Sequence, residues 1–209
     1  MKAAAPSPAP AAPPQDNDAL RAAAAGCREC PLGEPATQTV WGEGALAPAL
    51  MLVGEQPGDA EDLQGRSFVG PAGRLLDQAL QQAGLPREAL YVTNAVKHFK
   101  FELRGKRRMH KTPAQREVQA CHHWLASEIA AVQPRRIVAL GATAARSLMG
   151  RTVTITREHG QWLPRREGPP VLVTWHPSAL LRMPREDFDA AYAAWVEDLR
   201  VAASADAAR

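Results

Sequence analysis

The sequence predicts an α/β protein, a three-layer α/β/α sandwich around a central, mainly parallel four-stranded sheet. Three observations predict it. Four short runs are almost continuously apolar, as parallel strands covered on both faces are. Helical patterns separate the runs, which implies right-handed crossovers. Polar turns rich in glycine and proline follow every run, at the carboxyl edge where open parallel sheets bind ligands.

The elements follow in chain order. Residues 1–17 alternate Ala and Pro and read as a flexible, partly polyproline tail, with a single domain over 18–209. The first strand is "ALMLVG" (49–54), followed by the turn "GEQPGDAED". In "PAGRLLDQALQQAG", Leu75, Leu76, Ala79, Leu80 and Ala83 make one apolar stripe, with Pro71 at its start and Gly84 as a stop. "LYVTN" (90–94) is the second strand and runs into "NAVKH". A helix from about Thr112 to Val132 carries Val118, Cys121, Leu125, Ile129 and Val132 on one face. "RIVALG" (136–141) leads through "GAT" into the short helix "ATAARSLMG". "VLVTWH" (171–176) ends in "HPS", and a last helix spans roughly Arg185 to Ala202.

Composition narrows the function. The 209 residues, 45% hydrophobic and 22% charged, suit one well-buried core. No stretch reaches the ~18 apolar residues of a membrane span, and the prolines of the tail break any signal-peptide core. A cytoplasmic monomer without membrane contact is expected. The net charge of +3 is concentrated locally: Lys97 to Lys111 holds seven Lys or Arg and one acid, Glu102. Such a run suits a polyanion, or is simply a solvated face. His110 sits inside it, in "GKRRMHKTP", where a phosphate grip alone would prefer another cation.

Nucleotide-cofactor chemistry is disfavoured. "GEGALA" (42–47) precedes the first strand, where it cannot cradle a pyrophosphate. Gly65 and Gly70 are followed by Pro71 and not by the lysine of a P-loop, and no HExxH occurs. Cys27 and Cys30 have metal-ligand spacing, with Cys121 as a distant third thiol. Ligand chemistry by itself favours zinc on three sulfurs and one nitrogen. A redox CxxC would leave Cys121 without a role and lacks a thioredoxin-like context.

Taken together, these turns resemble the uracil-DNA glycosylase superfamily. "GEQPGDAED" resembles its first motif and "HPS" its last, with "SFVGPAGRLLD" and "YVTNAVKH" between. "CRECPL" is similar to the start of the type-four enzymes, which contain an iron–sulfur cluster. "VKHFKF" and "KRRMHKTP" resemble the UdgX branch, whose extra loop carries a histidine that bonds covalently to DNA. The resemblance runs in order from about Cys27 to Arg200.

What it implies can be stated residue by residue. A four-iron–four-sulfur cluster would sit on Cys27, Cys30, Cys121 and His98, the last at the family's cysteine position; His122 and His123 are rivals outside that position. Uracil must be flipped out of a stack or presented on a single strand. Phe68 would stack on it, and Asn94 would read O4 and N3–H; their alternatives are a core aromatic and a turn asparagine. His176, with Ser178 beside it, would stabilise the departing anion at O2, or is a satisfied structural histidine. Glu55 would face the cationic sugar, with Gly54, Gln56 and Asp59 around the base, unless these loop acids are only solvated. Lys106, Arg107, Arg108, Lys111 and Arg182 would contact DNA phosphates. His110 would be the nucleophile that captures the sugar, with phosphate contact as the alternative. The partner is uracil-containing DNA, single-stranded or with the base extruded. A turnover glycosylase, and a non-catalytic module sensing damaged or single-stranded DNA, stand as competing functions.

Overall fold

The computed structural model describes residues 16–204. The N-terminal tail apart from its last two residues lies outside them. Helix α1 (Asn17–Ala24) starts on Asp16, whose side chain accepts from Asp18 N–H, and buries Leu20 and Ala24 against Trp41 and Trp124. A two-residue strand, β1 (Glu43–Gly44), precedes the fully buried β2 (Leu50–Gly54). The short α2 (Asp59–Gln64) and α3 (Pro71–Gln82) follow, the latter with Pro71 in its first turn. Strand β3 (Tyr91–Asn94) leads to a hairpin of β4 (Phe101–Arg104) and β5 (Arg107–His110). Then come α4 (Gln115–Val132), β6 (Arg136–Leu140), α5 (Ala142–Met149) and α6 (Ile155–Glu158). The chain closes with β7 (Trp162–Leu163), β8 (Val171–Thr174), α7 (Pro177–Leu180) and α8 (Arg185–Ser204).

The sheet has six strands in the order β1-β3-β2-β6-β8-β7, and it is mixed. Its four inner strands pair in parallel, while β1 and β7 lie antiparallel at the edges. The expected four-stranded sheet is corrected on this point. Strands of two residues have no periodicity to read, and they exist only because β3 and β8 offer them a free edge.

Each inner strand faces two layers. Leu52, Val138 and Leu172 pack with Leu76, Leu80, Trp195 and Leu199 of α3 and α8. Met51, Val53, Ile137 and Val173 pack with Leu125, Ala144 and Leu148 of α4 and α5. Alternate residues therefore serve opposite faces, and the runs are continuously apolar because both faces are covered. Strand order reverses between β2 and β6, so the carboxyl ends of these two strands border the crevice that such a switch point opens.

One polar cluster lies inside this core. Lys97 Nζ bonds Glu128 Oε2 at 2.6 Å, Thr93 Oγ1 at 2.7 Å and the Asn94 carbonyl at 2.8 Å. Glu128 also accepts from the Tyr91 hydroxyl and from Gly42 N–H. The pair is fully buried, and its hydrogen bonds leave Glu128 with both oxygens occupied. It ties α4 to the end of β3.

Candidate active site

At the carboxyl end of β2, the absence of a side chain on Gly54 lets two other side chains approach its backbone closely. A Cβ there would collide with Asn94 Oδ1 and Phe68 Cζ, so these two groups converge on the glycine. Phe68 is buried and has φ of 56°, a left-handed conformation rare for an aromatic residue. Strain of this kind persists only where its surroundings enforce it. Here Gly73 of α3 packs its bare Cα against the Phe68 carbonyl, a place where any side chain would clash. The Phe68 ring lies 6.0 Å from that of His176, centroid to centroid.

Asn94 is 2% exposed, and its Oδ1 has no hydrogen-bond partner among the described residues. A buried, unpaired acceptor carries a desolvation cost of ~1–3 kcal/mol, which a ligand N–H would relieve. Its backbone is held from behind by Lys97, so the side chain is aimed by the buried cluster.

His176 caps α7. Its Nδ1 accepts from Ser178 N–H at 3.2 Å and lies 2.8 Å from the Ser178 hydroxyl. An Nδ1 that accepts a backbone N–H places the proton of the neutral ring on Nε2. Burial pushes its pKa down to about 4 against the opposing pull of Glu55, with His110 and Arg182 adding to the drop. At neutral pH it is therefore an uncharged N–H donor. Gly141, with φ of 89°, lets the β6 turn approach within 2.9 Å of the His176 Cβ, measured from where its own Cβ would stand.

Glu55 bridges the switch point. The Thr143 hydroxyl donates to its Oε2 at 2.5 Å, and His110 Nε2 stands 3.4 Å from its Oε1. Burial raises the Glu55 pKa, but the bonds to His110 and Thr143 outweigh it and hold the carboxyl below its ordinary value. It is a carboxylate at neutral pH.

His110 reaches Glu55 because the hairpin is fastened at two places. Gln56, 6% exposed, takes Lys100 N–H on its Oε1 at 3.0 Å and donates through Nε2 to the Lys111 carbonyl at 3.0 Å and the Lys100 carbonyl at 3.3 Å. Arg108 bonds Asp59 at 2.6 Å and the buried Asp62 at 2.5 Å. Its guanidinium also covers the rings of Phe99 and Phe101. Gln56, Asp59 and Arg108 are thus engaged with the hairpin through their side chains. Lys111 pairs with Glu102 at 2.9 Å. Lys106, Arg107 and Arg182 are exposed and have no ion pair among the described residues.

The comparisons with known proteins bear on this arrangement. A family model described as the uracil DNA glycosylase superfamily matches residues 41–200. The chain belongs to the uracil DNA glycosylase superfamily. It is 41% identical over 157 residues to a type-4 uracil-DNA glycosylase of Thermotoga maritima, covering 75% of this chain and 78% of that one. Type-4 uracil-DNA glycosylases of Pyrobaculum aerophilum and Archaeoglobus fulgidus are 38% and 36% identical, over 76% and 78% of this chain and 81% and 83% of theirs.

Within this family member, the expected iron–sulfur cluster is corrected. Cys27, Cys30 and Cys121 are free cysteines, and no group of three or more His, Cys, Asp or Glu among the described residues could hold a metal ion. The donors have other company. His98 Nε2 bonds the Thr39 hydroxyl at 2.9 Å, Trp124 Nε1–H donates to Cys27 Sγ at 3.3 Å, and Lys97 N–H donates to Cys121 Sγ at 3.3 Å. Burial drives the Cys121 thiol up to about 11. Packing of Leu32, Val96 and Cys121, with Cys30 against them, ties the N-terminal segment to the turn after β3. His122 and His123 are exposed, and His123 pairs with Glu29.

Sequence reasoning missed Thr143, although the "GAT" turn was flagged, and it missed the hairpin. The signal for the hairpin was present: Arg104 pairs with Arg107 across a two-residue loop whose first residue, Gly105, has φ of 59°. The density of charge hid it.

Proposed function

We propose that the protein is a uracil-DNA glycosylase of the UdgX branch, which excises uracil from DNA and then bonds His110 to the sugar. One observation carries the reading: Glu55, held by Thr143, faces His110 at 3.4 Å and is the residue next to Gly54, on which Phe68 and Asn94 converge. The names of the relatives support the coarser part, uracil-DNA glycosylase activity.

The chemistry follows from the groups. Extruded uracil stacks on Phe68 and gives its N3–H to Asn94 Oδ1, while the amide donates to O4. As the C1′–N1 bond breaks, its electron pair passes to uracil, and His176 Nε2–H donates to the negative charge growing at O2. A neutral donor suits that task, because it need not be deprotonated afterwards. Glu55 stabilises the positive sugar. The lone pair of His110 then forms a bond to C1′, held close enough to outcompete water. The imidazole proton leaves through Glu55 and ends, in balance, on uracil. An N-alkylated imidazole is a poor leaving group, so the adduct persists.

A turnover reaction has one observation in its favour: the His110 side chain is 46% exposed, so water reaches the same region. Denaturing gel electrophoresis after mixing with a uracil-containing single-stranded oligonucleotide separates the two. The wild type should give a shifted, denaturation-resistant band, and His110→Ser should release uracil without one. An adduct in His110→Ser would remove His110 from the role.

A further inference from the structure

An open groove of about 670 Å³ lies between α4 and α5, on one helical face of the sheet. Its lining includes Thr143, whose hydroxyl holds Glu55, and Thr112, two residues past His110. The groove is therefore continuous with the candidate active site. Gln115 and Gln119, one turn apart on α4, face Arg146 and Ser147 of α5 across it. Among the described residues no Asp or Glu lines it.

The groove presents a cation without a counter-charge. Arg146 has no ion pair among the described residues, whereas the neighbouring Arg151 is occupied by Glu158 at 2.7 Å.

We infer that this groove seats the backbone of single-stranded DNA on one side of the extruded nucleotide. The inference rests on the DNA-directed reading above, and extends it to residues away from the catalytic pocket. Guanidinium, amide and hydroxyl groups are the usual partners of phosphate oxygens, and Ala142 and Thr143, at the positive end of α5, line the same groove. Val118 and Val153 add apolar wall, which suits the sugars and bases of an unpaired strand. Along the eight residues of α5 the groove runs about 12 Å, room for roughly three stacked nucleotides. A lone phosphate would need no trench.

The test uses the full-length protein with Arg146→Glu and, separately, Gln119→Glu; both side chains are exposed, so folding is undisturbed. Binding of a labelled single-stranded oligonucleotide with one central uracil on a sugar that resists cleavage, which fixes the register, is measured by anisotropy across a salt series. Arg146→Glu should weaken binding about fivefold to tenfold and lower the salt slope by about one. Removing the oligonucleotide's flank on the groove side should reproduce that loss in the wild type and erase the difference between wild type and variant. Removing the other flank should not. If both variants bind the long oligonucleotide like wild type, or lose affinity equally whichever flank is removed, the inference is overturned. Uracil release in parallel separates the two readings. Flank-dependent binding through Arg146 without uracil release would sink the glycosylase reading and leave the groove standing. Uracil release with unaffected variants would sink the groove alone.

Discussion

Arg108→Ala should separate uracil excision from capture of the sugar. Arg108 is the clasp between the His110 hairpin and α2, and none of its bonds among the described residues goes to Gly54, Phe68, Asn94 or His176. Its bond to Asp59 is to a half-exposed carboxylate and contributes about 0–1 kcal/mol. Its bond to Asp62 matters more, because that carboxylate is fully buried. Breaking a buried pair costs about 3–5 kcal/mol, but the Arg108 side chain is 17% exposed and Thr37 N–H still holds Asp62 at 3.0 Å. Discounting for both leaves about 2–3 kcal/mol, or roughly 30- to 150-fold in the docking equilibrium. Gln56 remains as a second anchor, so the adduct rate should fall by at least about tenfold and by no more than the full shift. Arg108→Lys, which keeps one charge against Asp62, should recover part of it. The assay is a time course of adduct on denaturing gels, run beside uracil release by the same samples. A purely structural defect would lower both together. Adduct formation at the wild-type rate in Arg108→Ala, or an equal loss of excision, would refute the clasp.

Three further expectations follow from the geometry. Gly54→Ala should abolish uracil excision, more than about 100-fold, while circular dichroism and binding of uracil-free DNA stay unchanged, because the new methyl occupies the space between Asn94 Oδ1 and Phe68. Activity near wild type would mean that the pocket lies elsewhere. His176 has its folded pKa depressed to about 4, so the unfolded chain binds the extra proton first; the stability linked to it is complete above pH ~6.5 and is lost as pH falls toward 4, by up to ~3 kcal/mol. Denaturant midpoints of wild type and His176→Gln between pH 4 and 7 check this, since the variant should lack that share of the acid loss. Lys97→Met strands the buried Glu128 carboxylate and should cost ~3–5 kcal/mol in urea unfolding, with Lys97→Met/Glu128→Leu recovering much of it. A single variant as stable as wild type would show that the pair is dispensable.

Much of the fold was legible because burial on both faces leaves a local trace. The four inner strands were readable as apolar runs, and α3 as a stripe opened by Pro71. The candidate residues Glu55, Asn94 and His176 lie in or beside the turns at the carboxyl ends of such runs, and the family resemblance singled them out. Their roles were less legible. Asp59 and Arg108, expected around the base and on phosphates, spend their side chains on the hairpin, and so does Gln56, whose expected contact with the base was through main-chain N–H groups near it. A sequence records a polar residue at a turn without recording which partner it meets.

The sequence by itself determined the α/β class, the crossovers and the edge at which chemistry gathers, because strand and helix periodicity depend on near neighbours and on which faces are covered. Only the tertiary structure decided the rest. It added β1 and β7, whose pairing depends on free edges created by distant strands. It joined Thr143 to Glu55 across 88 positions, and Lys97 to Glu128 across 31. It also gave Cys27, Cys121 and His98 hydrogen-bond partners from distant parts of the chain. Hydrogen bonds and buried charges are settled by approach in space, and that approach leaves no period along the chain.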